Sequence, residues 1–345
     1  MSAETDMEAC RAAIRTGSLS FHAASKLLPA TVRDPALVLY AFCRLADDAV
    51  DEGRDPTKAV LQLQDRLDSA YAGRPHNAAI DRAFARMIER HQMPRALPDA
   101  LLEGLAWDAE GRRFATLSGV LEYSARVAAV VGAMMCVLMG VRDRHRLARA
   151  CDLGLAMQLT NIARDVGDDA RRGRIYQPLD CIAENRISPQ AFLRAPQALP
   201  EICAMTNRLL READRLYSRA EPGISALPLA CRPGIFAASR IYRGIGQVIR
   251  AQGCDSISQR AVTTRGRKLG WLGLSALRAG GSVVLPQMAT LYARPQPETS
   301  FLVQAAAHEN TAFSRSETLI TALSRLRAQD MKRRDAHTGL DRRSA

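Results

Sequence analysis

The chain reads as an all-α protein, and three observations carry that reading. Apolar residues recur at helical spacing along most of the sequence, and few runs alternate with period two. Ala, Leu, Arg and Glu are abundant, and all favour helices. Pro and Gly mark the joints between the periodic runs.

Taken in order, periodicity predicts a first helix over 4–16, then a break at Leu28-Pro29 before a second over 35–53. Asp55-Pro56 separates that helix from 57–72, Arg74-Pro75 precedes 77–91, and Met93-Pro94 precedes 96–110. Helices over 117–140 and 144–169 follow. Another over 198–220 is closed by Glu221-Pro222-Gly223, and 233–252 and 259–279 complete the set. Residues 294–298 (RPQPE) read as a linker, 299–328 as an amphipathic helix, and 332–345 (KRRDAHTGLDRRSA) as a solvated, disordered tail. The expected organisation is a main helical domain over 1–293 and a linker, helix and basic tail over 294–345. Two aspartate motifs hint at a duplicated half, but their flanks do not match.

The formal charge is +12 and the sequence pI about 9.8. Nucleic acid, anionic membrane surfaces and phosphorylated substrates all attract such a chain. Nucleic acid is set aside: no known motif stands out, and aromatics are only 5% of residues, too few for base-stacking platforms. The eight cysteines are scattered without a C-x-x-C pair, which argues against a zinc site or disulfide framework and fits a reducing cytoplasm. The start, MSAETDMEAC, lacks the pattern of a secretory signal. Residues 127–141 carry no charge but would span only roughly 22 Å as a helix, short of a ~30 Å bilayer core. A buried central helix is the better reading.

Chemistry concentrates in two stretches. On a helix, 158–169 (QLTNIARDVGDD) places Gln158, Asn161, Asp165 and Asp169 on one face, at spacings of three, four and four. This stripe of oxygen-bearing side chains follows the apolar run 153–157. Upstream, 40–52 (YAFCRLADDAVDE) places Asp47 and Asp51 four apart, with Arg44 one turn earlier and Asp48 and Glu52 on a neighbouring row. Two helices that each aim carboxylates inward can hold hard cations between them. Mg²⁺ prefers oxygen ligands and is usually completed by waters and substrate phosphates. The plainer alternative is a solvated acidic stripe; it competes evenly for the first motif taken alone and less well for the second. The basic run 171–178 (RRGRIYQP) reads equally as a lid over phosphate or as a basic turn after a helix C-terminus. For Arg260, Arg265, Arg267 and Lys268 an ordinary basic surface is the simpler reading, ahead of the site or a membrane.

These stretches resemble the two signatures of the squalene/phytoene synthase family, in the family's order. The second signature runs on through Arg172, Arg174, Tyr176 and Pro178. The segments 17–25 (GSLSFHAAS), 27–29 (LLP) and 241–243 (IYR) also match, so the resemblance covers about 10–290, with bacterial phytoene synthases the most similar members. It implies the isoprenoid-synthase-type helical bundle with a central apolar cavity. Asp47, Asp51, Asn161, Asp165 and Asp169 would hold Mg²⁺ or Mn²⁺, and Arg44 and Arg164 would contact diphosphate. Ser20, Phe21, His22, Gln158, Arg174, Tyr176 and Tyr242 would line the substrates. Tyr123 stands where the family has an active-site tyrosine. Many members carry a second aromatic at the position of Ala125, and Gly at those of Arg126 and Ala129.

The implied activity is Mg²⁺-dependent head-to-head joining of two geranylgeranyl diphosphates, through a cyclopropyl (prephytoene) diphosphate, to phytoene. Its sibling alternative is squalene, hydroxysqualene or a C30 carotenoid precursor from farnesyl diphosphate. No NADPH requirement is expected for phytoene. A head-to-tail elongase would carry a second D-D-x-x-D cluster, whereas here that motif begins N-x-x-x-D. A non-enzymatic basic protein would bind in a salt-dependent way without Mg²⁺-dependent turnover. The expected partners are two prenyl diphosphates, with no nucleic acid, and extend to neighbouring carotenoid enzymes. The expected location is the cytoplasm, with peripheral contact on the inner face of the membrane through the basic set and the apolar stretch 269–291.

Overall fold

The computed structural model describes residues 2–17, 19–51, 55–184, 187–282, 288–307 and 317–341. The side chains of 15–21, 50, 51, 265, 268, 269 and 334–341 lie outside that description. Glu52 and the side chains of Ser20, Phe21 and Asp51 therefore fall outside it, as do those of Arg265 and Lys268. The described residues contain helices and no strand. In chain order the α-helices are α1 (Ala3–Gly17), α2 (Leu19–Ser25), α3 (Ala30–Asp51), α4 (Pro56–Tyr71), α5 (Ala79–His91) and α6 (Ala96–Ala109). Next come α7 (Leu117–Ser124), a π turn (Ala125–Ala129), α8 (Val130–Leu138), α9 (Arg144–Arg164), α10 (Val166–Arg171), α11 (Leu179–Glu184) and α12 (Pro189–Arg194). The rest are α13 (Pro200–Ser225), α14 (Arg232–Ala251), α15 (Arg265–Gly281), α16 (Ser300–Ala307) and α17 (Glu317–Asp341).

The chain divides into two compact units. The first comprises Met1–Gly17, Leu37–Arg112 and Asn310–Ala345. Its core includes Leu39, Leu67, Phe84 and Leu97, and the rings of Phe42 and Phe84 stack at 3.8 Å. Asp55 caps α4 by accepting from the Lys58 N–H at 3.2 Å, with Pro56 at the first helical position, where its missing donor costs nothing. Helix α17 packs on α4 and α6, and Arg333 donates to Asp55 at 2.8 Å. The tail expected to be disordered is instead helical as far as Asp341.

The second unit comprises Ser18–Ala36 and Arg113–Glu309. Helix α9 is its axis: it packs along α13 and against α8, the π turn, α14 and α16. The stretch Leu117–Leu138 is longer than the charge-free run alone suggested. By length and composition it would cross a bilayer, yet 67% of its apolar window is buried inside the protein. A satellite core of Val166, Ile175, Ile182, Phe192 and Ile202 gathers α10, α11, α12 and the start of α13.

Several boundaries differ from the sequence reading. Helix α13 runs through Pro222-Gly223 to Ser225, and Gly223 makes room there for the Arg149 side chain: a Cβ would lie 2.1 Å from the Arg149 Cβ. Helix α15 starts at Arg265, after Thr264 caps it, so 259–264 is loop. In place of one amphipathic helix over 299–328 there are α16 and α17, with 308–316 outside the described residues. Residues 294–298 are fastened rather than free, since the Arg294 carbonyl accepts from Arg149 and Arg219.

Candidate active site

The first acidic row lies on α3 within the first unit. Leu37, Val38, Phe42 and Ala46 bury one side of this helix, and Asp47 on the other is exposed. Arg44 pairs with Asp48, one turn on, at 2.6 Å. The helix continues to Asp51, so positions 47 and 51 keep their four-residue spacing. Asp47 is thus open to water, which suits either reading of the motif.

The second row lies in the second unit. Helix α9 stops at Asp165, whose φ −102°, ψ 15° interrupts the expected continuous helix, and α10 resumes at Val166. The interruption preserves the stripe. The Asp165 N–H donates to the Asn161 carbonyl at 2.9 Å, and the Asp169 N–H to the Asp165 carbonyl at 2.8 Å. The Asn161 amide donates to Gln158 Oε1 at 3.4 Å. Its own Oδ1 is buried and accepts no hydrogen bond. A buried carbonyl oxygen without a donor is costly unless something completes it.

Asp165 is heavily engaged. Arg164 donates to Oδ1 at 2.9 Å and to Oδ2 at 2.5 Å, and Arg260 donates to Oδ1 at 2.8 Å. Burial alone would push this carboxyl up. The guanidinium groups of Arg164 and then Arg260 outweigh it and hold the group below the usual carboxylate value. Arg260 also approaches Asp168 at 3.4 Å.

The basic run after this row forms an ordered helix stop. Gly173 sits at φ +77°, where a Cβ would be strained. The Arg174 N–H donates to the Asp169 carbonyl at 2.8 Å and the Gly173 N–H to that of Ala170 at 3.0 Å, which is the Schellman pattern. Ile175 enters the satellite core, and Leu179 N–H donates to the Phe114 carbonyl at 2.9 Å. Tyr176 is thereby placed on Tyr123: the rings stack at 5.1 Å, and Phe114 flanks Tyr123 at 5.2 Å. The π turn begins two residues after Tyr123; such turns recur at functional sites.

Tyr242 on α14 lies close enough to Arg164 and Asp165 for its ionisation to feel both. Burial pushes its hydroxyl up, and that of Tyr217 likewise, so both stay protonated at neutral pH. Tyr217, absent from the sequence reading, shares a hydrogen bond with Thr160 at 3.0 Å on α9. Nothing in its local sequence distinguishes it from a core tyrosine. His22 on α2 is partly buried, and its carbonyl accepts from Ser25 at 2.9 Å.

The donor set fits a hard cation. Among the described residues no three His, Cys, Asp or Glu gather into a self-sufficient metal cage. The second row offers oxygen atoms only, including the orphaned Oδ1 of Asn161. Few protein ligands, all oxygen, with the remainder left to water and phosphate, is the Mg²⁺ or Mn²⁺ pattern.

Comparison with known proteins gives the family. The family model for squalene/phytoene synthase matches residues 14–267. Phytoene synthase of Cereibacter sphaeroides is 61% identical over 340 residues, covering 96% of each chain. Phytoene synthase of Rhodobacter capsulatus is 60% identical over 333 residues, covering 96% of this chain and 98% of its own. Among solved structures, a dehydrosqualene synthase in complex with ligand superimposes with a TM-score of 0.72 at 28% identity, covering 81% of this chain and 98% of that one.

Proposed function

The chain belongs to the squalene/phytoene synthase family, and we propose that within it the protein is a phytoene synthase, a prenyltransferase that condenses two geranylgeranyl diphosphates head to head and releases diphosphate. The observation that carries this is the end-to-end likeness to bacterial phytoene synthases, far higher than that to the dehydrosqualene synthase. The C30 alternative is correspondingly less supported.

We assign Asp47 and Asp51 of the first row, and Asn161, Asp165 and Asp169 of the second, to divalent cation. When bound, Mg²⁺ or Mn²⁺ neutralises the charge that develops on the departing diphosphate. Arg44 and Arg164 are assigned to diphosphate oxygens, which the planar guanidinium fork suits. Gln158, Arg174 and Tyr242 are assigned to the same polar end, and Ser20, Phe21 and His22 to substrate contact. Tyr123 and Tyr176, whose rings stack on each other, are assigned to the active site and to substrate contact.

In the reaction the first C–O bond ionises and the second substrate's double bond attacks the allyl cation. Proton loss closes the cyclopropane of prephytoene diphosphate. A second ionisation, rearrangement and proton loss then give phytoene. Apolar helices keep water from trapping the cations. Overall two diphosphates leave with two protons and no electrons are transferred, so no NADPH enters.

The test is incubation of pure protein with geranylgeranyl diphosphate and Mg²⁺, then identification of the lipid. Phytoene is expected, abolished by EDTA and restored by Mg²⁺ or Mn²⁺. Asp47→Asn and Asp165→Asn should each lose turnover by orders of magnitude at unchanged helix content. Efficient turnover of farnesyl diphosphate only would replace the assignment with the C30 one. Full activity in excess EDTA would remove the metal.

We further propose a cytoplasmic, peripheral location. Leu274, Leu277, Met288 and Tyr292 expose apolar surface on and after α15, and Arg267 lies exposed on the same helix. Flotation with anionic vesicles at low salt, lost at high salt, is the expected result; no association at low salt rules the contact out.

A further inference from the structure

Helix α14 packs against both α13 and α15. Toward α13, Arg243 and Arg250 share Asp214, at 3.2 and 2.6 Å. Toward α15, Gly244 gives room to the Trp271 ring: a Cβ there would lie 2.1 Å from its Cη2. Helix α15 then runs back along α14, since Arg232 at the start of α14 donates to the Ser282 hydroxyl at 2.9 Å. Arg278 of α15 donates to Glu221 of α13 at 3.1 Å, so the two flanking helices are tied to each other as well.

Arg240 lies within this frame. It stands three residues before Arg243 and four before Gly244. It therefore shares one side of α14 with the residue that meets α13 and the residue that meets α15. Its Nε is buried and donates to no acceptor among the described residues. The two carboxylates of the frame are already taken, Asp214 by two arginines and Glu221 by a third. Four guanidinium groups thus meet two carboxylates, and the one left over is half-buried. A buried charged donor without an acceptor is costly, and an incoming anion removes that cost.

The rim of the frame is apolar. Trp271, Leu274 and Arg278 follow one another at spacings of three and four along one side of α15. Leu274 is 51% exposed and Leu277 75%. A small soluble anion would satisfy the guanidinium and leave these leucines in water. A phospholipid answers both features, with phosphate for the arginine and acyl chain for the leucines.

We propose that Arg240 is the centre of a phospholipid headgroup site: its guanidinium fork takes the two non-bridging oxygens of an anionic lipid's phosphodiester, while Leu274 and Leu277 enter the acyl region. This rests on the peripheral membrane contact proposed above and gives that contact a specific lipid partner in place of diffuse charge attraction.

The test uses the full chain and two probes, dihexanoyl phosphatidylglycerol below its micelle concentration, followed by calorimetry, and phosphatidylglycerol vesicles, followed by flotation at low salt. Arg240→Gln should bind the soluble lipid about tenfold more weakly than wild type, the loss of one charge-assisted contact. Arg240→Lys, which keeps the charge without the fork, should lie between them. Melting temperatures should not change, because Arg240 gives up no partner inside the protein. A loss of affinity that tracks a lower melting temperature assigns a structural role and overturns the proposal. Inorganic phosphate should bind more weakly than the soluble lipid; equal binding assigns the site to free phosphate and overturns the lipid. In flotation Arg240→Gln should lose several-fold more than Arg267→Gln, which removes the same charge from the surface of α15. Equal losses reduce Arg240 to general charge and overturn the site while the membrane contact stands. A wild type that binds the soluble lipid through Arg240 but does not float keeps the headgroup site and loses the peripheral contact.

Discussion

Gly154 of α9 and Ala129 of the π turn meet backbone to backbone: a Cβ on Gly154 would lie 2.5 Å from the Ala129 Cα and 2.8 Å from its N. This contact sets the distance between the helix that carries the second acidic row and the turn that follows Tyr123. Gly154→Ala should therefore destabilise by about 1–3 kcal/mol and lower turnover as the π turn is pushed away. The atoms it meets are backbone, so Ala129→Gly should not rescue it. Thermal unfolding of the single and double variants checks both statements. Rescue in the double variant would show that the Ala129 methyl, not the backbone, fixes the spacing.

The Tyr123–Tyr176 stack joins residues of two separate motifs. Tyr176→Leu should lose about 0.5–1.5 kcal/mol of aromatic interaction and slow the chemistry, while Tyr176→Phe should keep both near wild type. Urea titration with single-turnover kinetics is the measurement. Equal damage by Phe and Leu would assign the role to the hydroxyl.

Arg149 and Asp152 form a buried pair at 2.8 Å, both side chains 0% exposed. Arg149 also donates to the carbonyls of Thr290 and Ala293, holding the segment after α15. Burial pushes the Asp152 carboxyl up and the Arg149 guanidinium down, and their pairing opposes both. Arg149→Met leaves a buried carboxylate with Arg219 at 3.3 Å as its ion-pair partner and should cost about 3–5 kcal/mol. Adding Asp152→Leu should recover much of that loss in denaturant melts. If the double variant is no better than the single, the cost lies in the freed carbonyls.

In the first unit Asp6 is buried between Arg82 and Arg86, at 2.6 and 2.8 Å. The Arg82 hydrogen bond, with Arg86, holds its carboxyl below the ordinary value against burial. A depressed folded pKa means that stability is gained above the unfolded value, about 3.9, and lost as pH falls through the folded one. Wild type should exceed Asp6→Asn in melting temperature at neutral pH, and the gap should close in acid. A gap constant from neutral pH down through the acid range would refute the linkage.

The helices were legible because helical periodicity is local. Each residue meets its neighbours three and four places away whatever the rest of the chain does. The same locality made the stripe Gln158, Asn161, Asp165 and Asp169 readable, and it survives the break at Asp165 because the i,i+4 hydrogen bonds continue across it. The oxygen-only donor set was likewise a property of residue types alone. Tertiary structure decided what local pattern cannot encode. Gly223, inside α13, takes the Arg149 side chain of α9 where a Cβ would stand. Arg260 left the ordinary basic surface because the contact of Ser256 and Ile257 with Gly167 brings its loop to Asp165. Each of these depends on a partner far along the chain, and only packing selects which distant residue arrives.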